Sequence, residues 1–283
     1  MILVTGASGY VGKKFIEAYK KKFKIKTFSL QKESLEDLNL NNIKTIIHCA
    51  ALVHQKKFHS QEEYDQVNVE YPLKLAKKAK ESGVTQFVYL STIAVYGNNN
   101  DKLTEKTKCF PLTPYGKSKL KAEEQLNKLN DTNFIISIIR PPMVYGKDAP
   151  GNIQTLISLV KKIPILPFAN TNNHRSFLYI DNLTYMINCI IEKRTAGIFL
   201  STDDKALSTT ALITLIAKAL NRNIQLINIP FFKILLKNVK PSLYNKLYGN
   251  LEIDNSETKK LLNYKNIYTV EEGIKSMIEG ENQ

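Results

Sequence analysis

The opening twelve residues constrain the chain more than any other stretch. Ile2-Leu3-Val4 is a short apolar run, and Thr5-Gly6-Ala7-Ser8-Gly9-Tyr10-Val11-Gly12 follows it directly. From Val11 onward, Phe15, Ile16 and Tyr19 recur at helical spacing. A strand, three glycines three residues apart and an amphipathic helix specify a cradle for a pyrophosphate. Gly6 permits the tight turn, Gly9 lets backbone approach the phosphates, and Gly12 allows the helix to pack closely. The amides at the helix start, around Ser8, Tyr10 and Val11, then face negative charge. A chain built around such a unit is expected to be α/β, with a doubly wound parallel sheet covered by helices.

The later strands carry the rest of the expected site. Ile25 to Leu30 reads as the second strand, whose end lies beside the adenosine ribose of a bound dinucleotide. Ser29, Gln31 and Lys32 stand there, with no carboxylate before Glu33, which favours NADP(H) over NAD(H). The third strand, Thr45 to Cys49, runs into Ala50-Ala51, small enough for a cofactor to lie across the strand end. His48 within that run is read as a packed core residue. A polar, basic loop reaches Ser60, and a helix is predicted from Tyr64 to Ser82, ending at Gly83. Phe87 to Leu90 then delivers Ser91-Thr92 at a carboxyl end, where such sheets place their ligands. Downstream, Tyr115 and Lys119 stand one helical turn apart on one face. A lysine beside a tyrosine favours the phenolate and is expected to draw the phenol toward neutrality, so that it exchanges a proton with a carbonyl/alcohol pair.

Composition narrows the partners. With 283 residues, 43% of them hydrophobic, the chain has ample material for a large core. The 40 Lys+Arg against 26 Asp+Glu give a net charge of +14, which suits anionic ligands. The lysines fall in short scattered runs (Lys20 to Lys22, Lys56-Lys57, Lys77-Lys78), so no nucleic-acid partner is expected. Cys49, Cys109 and Cys189 are odd in number and lack ligand spacing, which predicts reduced thiols, a cytoplasmic location and no metal site. Neither a signal peptide nor a membrane-spanning run is read in the sequence, so stable membrane insertion is not expected.

Thr5 to Gly12, Ser91-Thr92-Ile93-Ala94-Val95-Tyr96-Gly97 and Tyr115 to Lys119 together resemble the extended short-chain dehydrogenase/reductase superfamily, in its nucleotide-sugar branch. Arg140 to Gly146, Gly151-Asn152, Pro164 to Phe168, His174 to Phe177 and Asp181 to Leu183 extend the resemblance along nearly the whole chain. It implies a Rossmann domain and a smaller α/β lobe for a nucleotide-sugar substrate. It also implies that Thr92 is the catalytic hydroxyl, Tyr115 the acid/base, and Lys119 the lysine that grips the nicotinamide ribose. Asn68 would tie the active-site helix to the sheet, Asp37-Leu38 would meet the adenine, and Pro142 would line the nicotinamide side. Asn152 and Arg175 would meet the UDP of the substrate, a forked guanidinium suiting a diphosphate. Family members often form homodimers through two helices, one of them carrying the tyrosine.

One departure narrows the reaction. The 4,6-dehydratases of this family carry Asp-Glu just after the catalytic threonine, because elimination at C5 and C6 needs another acid and base. Ile93 and Ala94 hold those places here, and neither moves a proton. Two reactions at C4 remain. The Gln31-Lys32 strand end favours a 4-keto-(6-deoxy)sugar 4-reductase of surface-polysaccharide synthesis, and the alternative is a UDP-glucose/UDP-N-acetylglucosamine 4-epimerase holding NAD+. A non-catalytic NADP(H) sensor is the third reading; such relatives lose the Tyr-x-x-x-Lys pair that this chain keeps.

The expected boundaries are residues 1–146 for the Rossmann domain, rejoined by about 176–201, with 147–175 and 202–283 forming the smaller lobe. Within them a helix is predicted over Asn182 to Glu192, a returning strand over Gly197 to Ser201, a helix over Ser208 to Leu220 and a strand over Ile224 to Ile229. Phe231, Phe232, Leu235 and Leu236 alternate with Lys233, Lys237 and Lys240. This pattern fits a membrane-associating face or the lobe's core, and core packing is preferred. Thr269 with Glu272 three residues on predicts a capped final helix.

Overall fold

The fully buried run Ile2–Thr5 (β1) is an interior strand of the main sheet in the computed structural model, which describes residues 1–53, 59–98 and 102–281. Helix Tyr10–Tyr19 (α1) follows the glycine turn, and Ile25–Phe28 (β2) and Thr45–His48 (β3) come next. After them come helix Gln61–Asp65 (α2), a π-helical segment Gln66–Glu70 and helix Tyr71–Glu81 (α3). Strand Gln86–Leu90 (β4), a 3-10 turn Ile93–Tyr96, helix Pro114–Asn127 (α4) and strands Ile135–Arg140 (β5) and Met143–Tyr145 (β6) continue the chain. Helix Asn152–Lys162 (α5), strands Ile165–Leu166 (β7) and Phe177–Tyr179 (β8), helix Ile180–Lys193 (α6) and strand Gly197–Leu200 (β9) lead to helix Thr209–Ala219 (α7). The remainder is strand Gln225–Leu226 (β10) and helices Phe232–Val239 (α8), Pro241–Tyr248 (α9), Ser256–Leu262 (α10) and Val270–Glu281 (α11).

Six strands pair in the order β2-β1-β3-β4-β5-β9, every neighbouring pair parallel. Alternation along β1 splits the core between the two faces. Ile2 and Val4 pack with Phe15 of α1 and Ile187 and Ile190 of α6, whereas Leu3 packs with Leu75 and Ala79 of α3 and Leu126 of α4. The sheet is therefore the doubly wound Rossmann type, and β9 rejoins it beside β5 as expected. Because β2 and β3 flank β1 on opposite sides, the loops leaving β1 and β3 part at a topological switch point. Such a crevice is where open α/β sheets hold their ligands.

Several elements differ from expectation. Strand β2 stops at Phe28, two residues early, because the amides of Lys32 and Glu33 both donate to the Ser29 carbonyl and close a turn. Residues 29–44 form neither helix nor strand; Leu38 and Leu40 are nonetheless buried, and Lys78 Nζ donates to the carbonyls of Leu35 and Glu36 at 2.6 and 2.7 Å. The predicted Tyr64 to Ser82 helix is broken by the π-helical segment just before Pro72, which has no amide to extend an i−4 ladder. The expected Ile224 to Ile229 strand is only Gln225–Leu226, paired with β7.

The largest correction concerns α8. Its apolar residues were expected to form the core of the smaller lobe, yet the helix buries none of them. Phe232 alone meets a core ring, Phe168 at 6.3 Å between centroids, while Phe231, Ile234, Leu235 and Val239 face solvent. At the other end of the chain the expected cap is present: Thr269 Oγ1 accepts from the Glu272 amide, and Glu272 Oε2 accepts from the Thr269 amide. The basic loop leading to Ser60, with Lys56-Lys57, lies mostly outside the described residues.

Candidate active site

At the switch point the backbone closes around the glycine turn. Gly6 has φ +72°, and a Cβ there would lie 2.5 Å from the Ala50 amide nitrogen. A Cβ on Gly12 would lie 2.4 Å from the Gly6 carbonyl oxygen. Only glycine allows both approaches, which bring the loop after β3, with half-buried Ala50 and Ala51, against the turn after β1. Gly9 caps α1 without a side chain, leaving the amides of Tyr10, Val11 and Gly12 with no intrahelical acceptor. Ser8 is exposed at the same edge. A cradle lined by free amides at a helix start fits the pyrophosphate of a nicotinamide dinucleotide.

Around this cradle the other expected cofactor contacts are mixed. Pro142 is buried just beyond β5, beside Pro141, whose carbonyl accepts from the Ile93 amide at 3.1 Å. Asp37 is exposed, whereas its neighbour Leu38 packs into the core with Phe28. Gln31 and Lys32 are exposed in the turn beyond β2. The carboxylate that the sequence placed too late is nearby after all: Glu33 Oε1 accepts from the Ser29 amide at 2.8 Å, so the turn returns it to the end of β2.

Helix α4 begins where Thr113 Oγ1 accepts from the Gly116 amide, with Pro114 at its first turn. A Cβ on Gly116 would lie 2.8 Å from the Ala94 carbonyl oxygen, so the helix rides directly on the 3-10 turn that follows Thr92. Thr92 is extended, caps that turn through the Ala94 amide, and its hydroxyl lies near enough to the Tyr115 phenol to favour the phenolate. One turn further, Lys119 is fully buried; its Nζ donates to the Leu90 carbonyl at 2.6 Å and stands 4.0 Å above the Tyr89 ring.

The sequence predicts that Lys119 draws Tyr115 toward neutrality, and the electrostatics differ. Burial pushes the phenol up to about 12, only partly offset by the nearby Thr92 hydroxyl. Burial likewise pulls the Lys119 ammonium down to about 7, against the carboxylate of Glu123. Desolvation sets both directions, and the ammonium is turned onto a backbone carbonyl. His48 is a core residue, as read: its Nδ1 pairs with Thr5 Oγ1 at 2.8 Å, and its ring stacks near Phe87 and Tyr89.

Asn68 does what the resemblance implies. In the π-helical segment its Nδ2 donates to the Leu52 carbonyl and to Ser118 Oγ, at 2.9 and 3.0 Å, while its Oδ1 accepts from the Leu52 amide at 2.8 Å. Strand-end loop and α4 are thereby joined through one side chain.

Beyond the β6–β8 ribbon lies a mostly apolar cavity of about 790 Å³, lined by Met143, Leu156, Phe168, Arg175 and Lys246 among others. Arg175 Nη1 donates to the carbonyls of Asn245 and Gly249 at 3.1 and 3.0 Å, at the end of α9. Asn152 opens α5, whose next turn lines the same cavity; its side chain lies outside the described residues. Thr92, Tyr115 and Lys119 do not line it.

Comparison with known proteins agrees with this arrangement. The model of the NAD dependent epimerase/dehydratase family matches residues 2–199. The chain belongs to that family. Over 305 aligned residues this family member is 32% identical to a UDP-glucose 4-epimerase of Vibrio cholerae, covering 97% of this chain and 93% of the relative. It is 26% identical to an N-acetyl-alpha-D-glucosaminyl-diphospho-ditrans,octacis-undecaprenol 4-epimerase of Escherichia coli O157:H7, over 81% of this chain and 75% of that one. In fold it matches a UDP-glucuronic acid 4-epimerase from Bacillus cereus solved with UDP-glucuronic acid and NAD, with a TM-score of 0.78 at 20% identity, covering 100% and 99% of the two chains. As a member of this family it is an enzyme of the nucleotide-sugar epimerase and oxidoreductase type that uses a nicotinamide dinucleotide.

Sequence reasoning missed a buried network behind the threonine of this epimerase/dehydratase family member. Arg140 Nε donates to both carboxylate oxygens of Glu123, at 3.1 and 3.0 Å, and Nη1 donates to the Tyr96 hydroxyl at 2.8 Å. Ser91 Oγ, next to Thr92, donates to the same carboxylate. Glu123 stands four residues after Lys119, and that helical spacing was the available signal.

Proposed function

We propose that the protein interconverts the C4 epimers of a UDP-activated hexose, UDP-glucose or UDP-N-acetylglucosamine, with NAD+ as a retained cofactor. The observation that carries this reading is the Thr92–Tyr115 pair backed by Ile93 and Ala94. A proton can be moved at C4, and no second acid or base stands where elimination or decarboxylation would need one. The name of the Vibrio cholerae relative, matched over 97% of this chain, favours the epimerase over the 4-keto reductase that Gln31 and Lys32 suggested. Glu33 at the end of β2 supports NAD over NADP, because a carboxylate there pairs with a ribose 2′-hydroxyl and repels a 2′-phosphate.

Bound NAD+ supplies the hydride acceptor and donor for the reaction. On this reading the amides of Tyr10, Val11 and Gly12 hold the pyrophosphate, Ala50, Ala51 and Pro142 flank the nicotinamide half, and Asp37-Leu38 lies toward the adenine. Lys119 positions the ribose. Tyr115, as its phenolate, takes the proton of the C4 hydroxyl, and Thr92 Oγ1 holds the same oxygen in register. When the 4-keto ring has turned its other face, Tyr115 returns the proton and the configuration at C4 is inverted. Arg175 and Asn152, both within segment 147–175 of the smaller lobe that 202–283 completes, anchor the nucleotide diphosphate while the sugar turns.

The test is the dinucleotide that the purified protein carries. Protein isolated without added cofactor is denatured and the released nucleotide identified by mass spectrometry; NAD+ near one per chain is expected. An empty site that prefers NADPH over NADH would return the assignment to a reductase.

A further inference from the structure

Helix α8 and its partner α9 present an outer face that the fold leaves uncovered. Phe231, Ile234, Leu235 and Val239 are 80%, 60%, 61% and 64% exposed, a cluster of large apolar side chains within nine residues. Phe231 is held at φ +61°, in the left-handed region that a bulky side chain adopts only against steric cost, and it points an aromatic ring at water. Around this face the charge has one sign. From Lys205 to Leu251 the chain carries seven lysines and arginines and no aspartate or glutamate. Lys233 and Lys237 lie over the rings of Tyr248 and Tyr244, at 5.5 and 5.9 Å, which fastens α8 to α9 and keeps both ammonium groups at the rim of the apolar patch.

We propose that α8, α9 and Phe231 form an interfacial docking surface for an anionic lipid membrane. Apolar side chains framed by lysines on a short amphipathic helix are the composition that lies in a headgroup layer, with burial and charge attraction acting together. No helix among the described residues is long and apolar enough to cross a membrane, so the attachment is peripheral. A second copy of this chain fits the face less well, because a two-fold contact would set lysines against lysines with no carboxylate in the segment to pair them. On its inner side α9 contributes Leu243 and Lys246 to the Arg175 cavity, joined by Lys240 at its junction with α8. Docking therefore brings the cavity close to the lipid boundary. The docking itself does not depend on which C4 reaction the site performs.

Co-sedimentation with vesicles tests the proposal. The intact protein is mixed with vesicles of phosphatidylcholine alone and of phosphatidylcholine and phosphatidylglycerol in equal parts. Binding to the anionic vesicles, weakened by salt, is expected. Leu235→Ser and Lys237→Glu should each lower partitioning by about ten-fold, the effect of withdrawing one apolar side chain or reversing one interfacial charge. Phe231→Asn should lower it similarly while leaving the melting temperature unchanged or raised, since asparagine accepts the left-handed conformation. That variant separates lost docking from lost folding. Equal sedimentation with and without vesicles would overturn the proposal. So would a concentration-dependent dimer, seen by light scattering, that Phe231→Asn dissolves, because the face would then be a contact between copies.

Discussion

Replacing Glu123 by Gln probes the network that holds the threonine end of the site. Arg140 and Glu123 are each 3% exposed, and the pair is tied to Ser91 on one side and Tyr96 on the other. The substitution keeps size and hydrogen-bonding shape but leaves the Arg140 charge buried without its counter-ion. Removing one partner of such a pair costs about 3–5 kcal/mol. Against a typical total stability of about 5–15 kcal/mol, that is a large share. For a chain of this length it corresponds to a fall in melting temperature of roughly 6–10 °C. Urea unfolding followed by circular dichroism measures the cost directly. The double variant Glu123→Leu/Arg140→Met removes both charges and should recover most of the loss, to within about 2 kcal/mol of the parent. A single variant within about 1 kcal/mol of the parent, or a double variant no better than the single, would refute the reasoning.

Four other outcomes follow from the same geometry. Tyr115→Phe should lower turnover by at least about 100-fold with the fold retained, because it removes the proton-carrying oxygen and nothing else; an unchanged rate in a nucleotide-sugar assay would sink the assignment. Thr92→Val should lower kcat by about 100-fold with little change in KM, the signature of a contact made mainly in the transition state. Lys119 titrates near 7 when folded and near its ordinary value when unfolded, so the unfolded chain binds more protons above pH 7. Stability should therefore rise from pH 7 to about 8.5, by at most about 1.4 kcal/mol per unit, and Lys119→Met should flatten that rise; parallel curves would contradict it. Glu33→Lys should weaken NAD binding by about ten-fold and improve NADP binding, read by titration of the emptied protein.

The glycine turn, the strands and the Thr92–Tyr115–Lys119 constellation were legible in the sequence because their signals are local. A strand, three spaced glycines and a helix leave little freedom, and Asn68 and the Thr269 cap likewise stand where the residues place them. What the sequence hid depended on relations between distant segments. Glu33 reaches the end of β2 only because a turn closes on Ser29, a relation that counting residues from the strand does not show. Apolar periodicity in α8 is the same whether a helix faces a core or water, and only the fold decides between them. The pKa of Tyr115 could not be read from its spacing to Lys119, because burial of the phenol sets the direction.

Inversion at C4 is read directly by proton NMR of the anomeric signal during incubation with UDP-glucose, and separately with UDP-N-acetylglucosamine. With no reductant added, approach to a mixture of C4 epimers from either side is expected, with no net oxidation or reduction and no reaction in Tyr115→Phe. An unchanged spectrum with both sugars, together with stoichiometric NADPH consumption when a UDP-4-keto-6-deoxy sugar is offered, would contradict it.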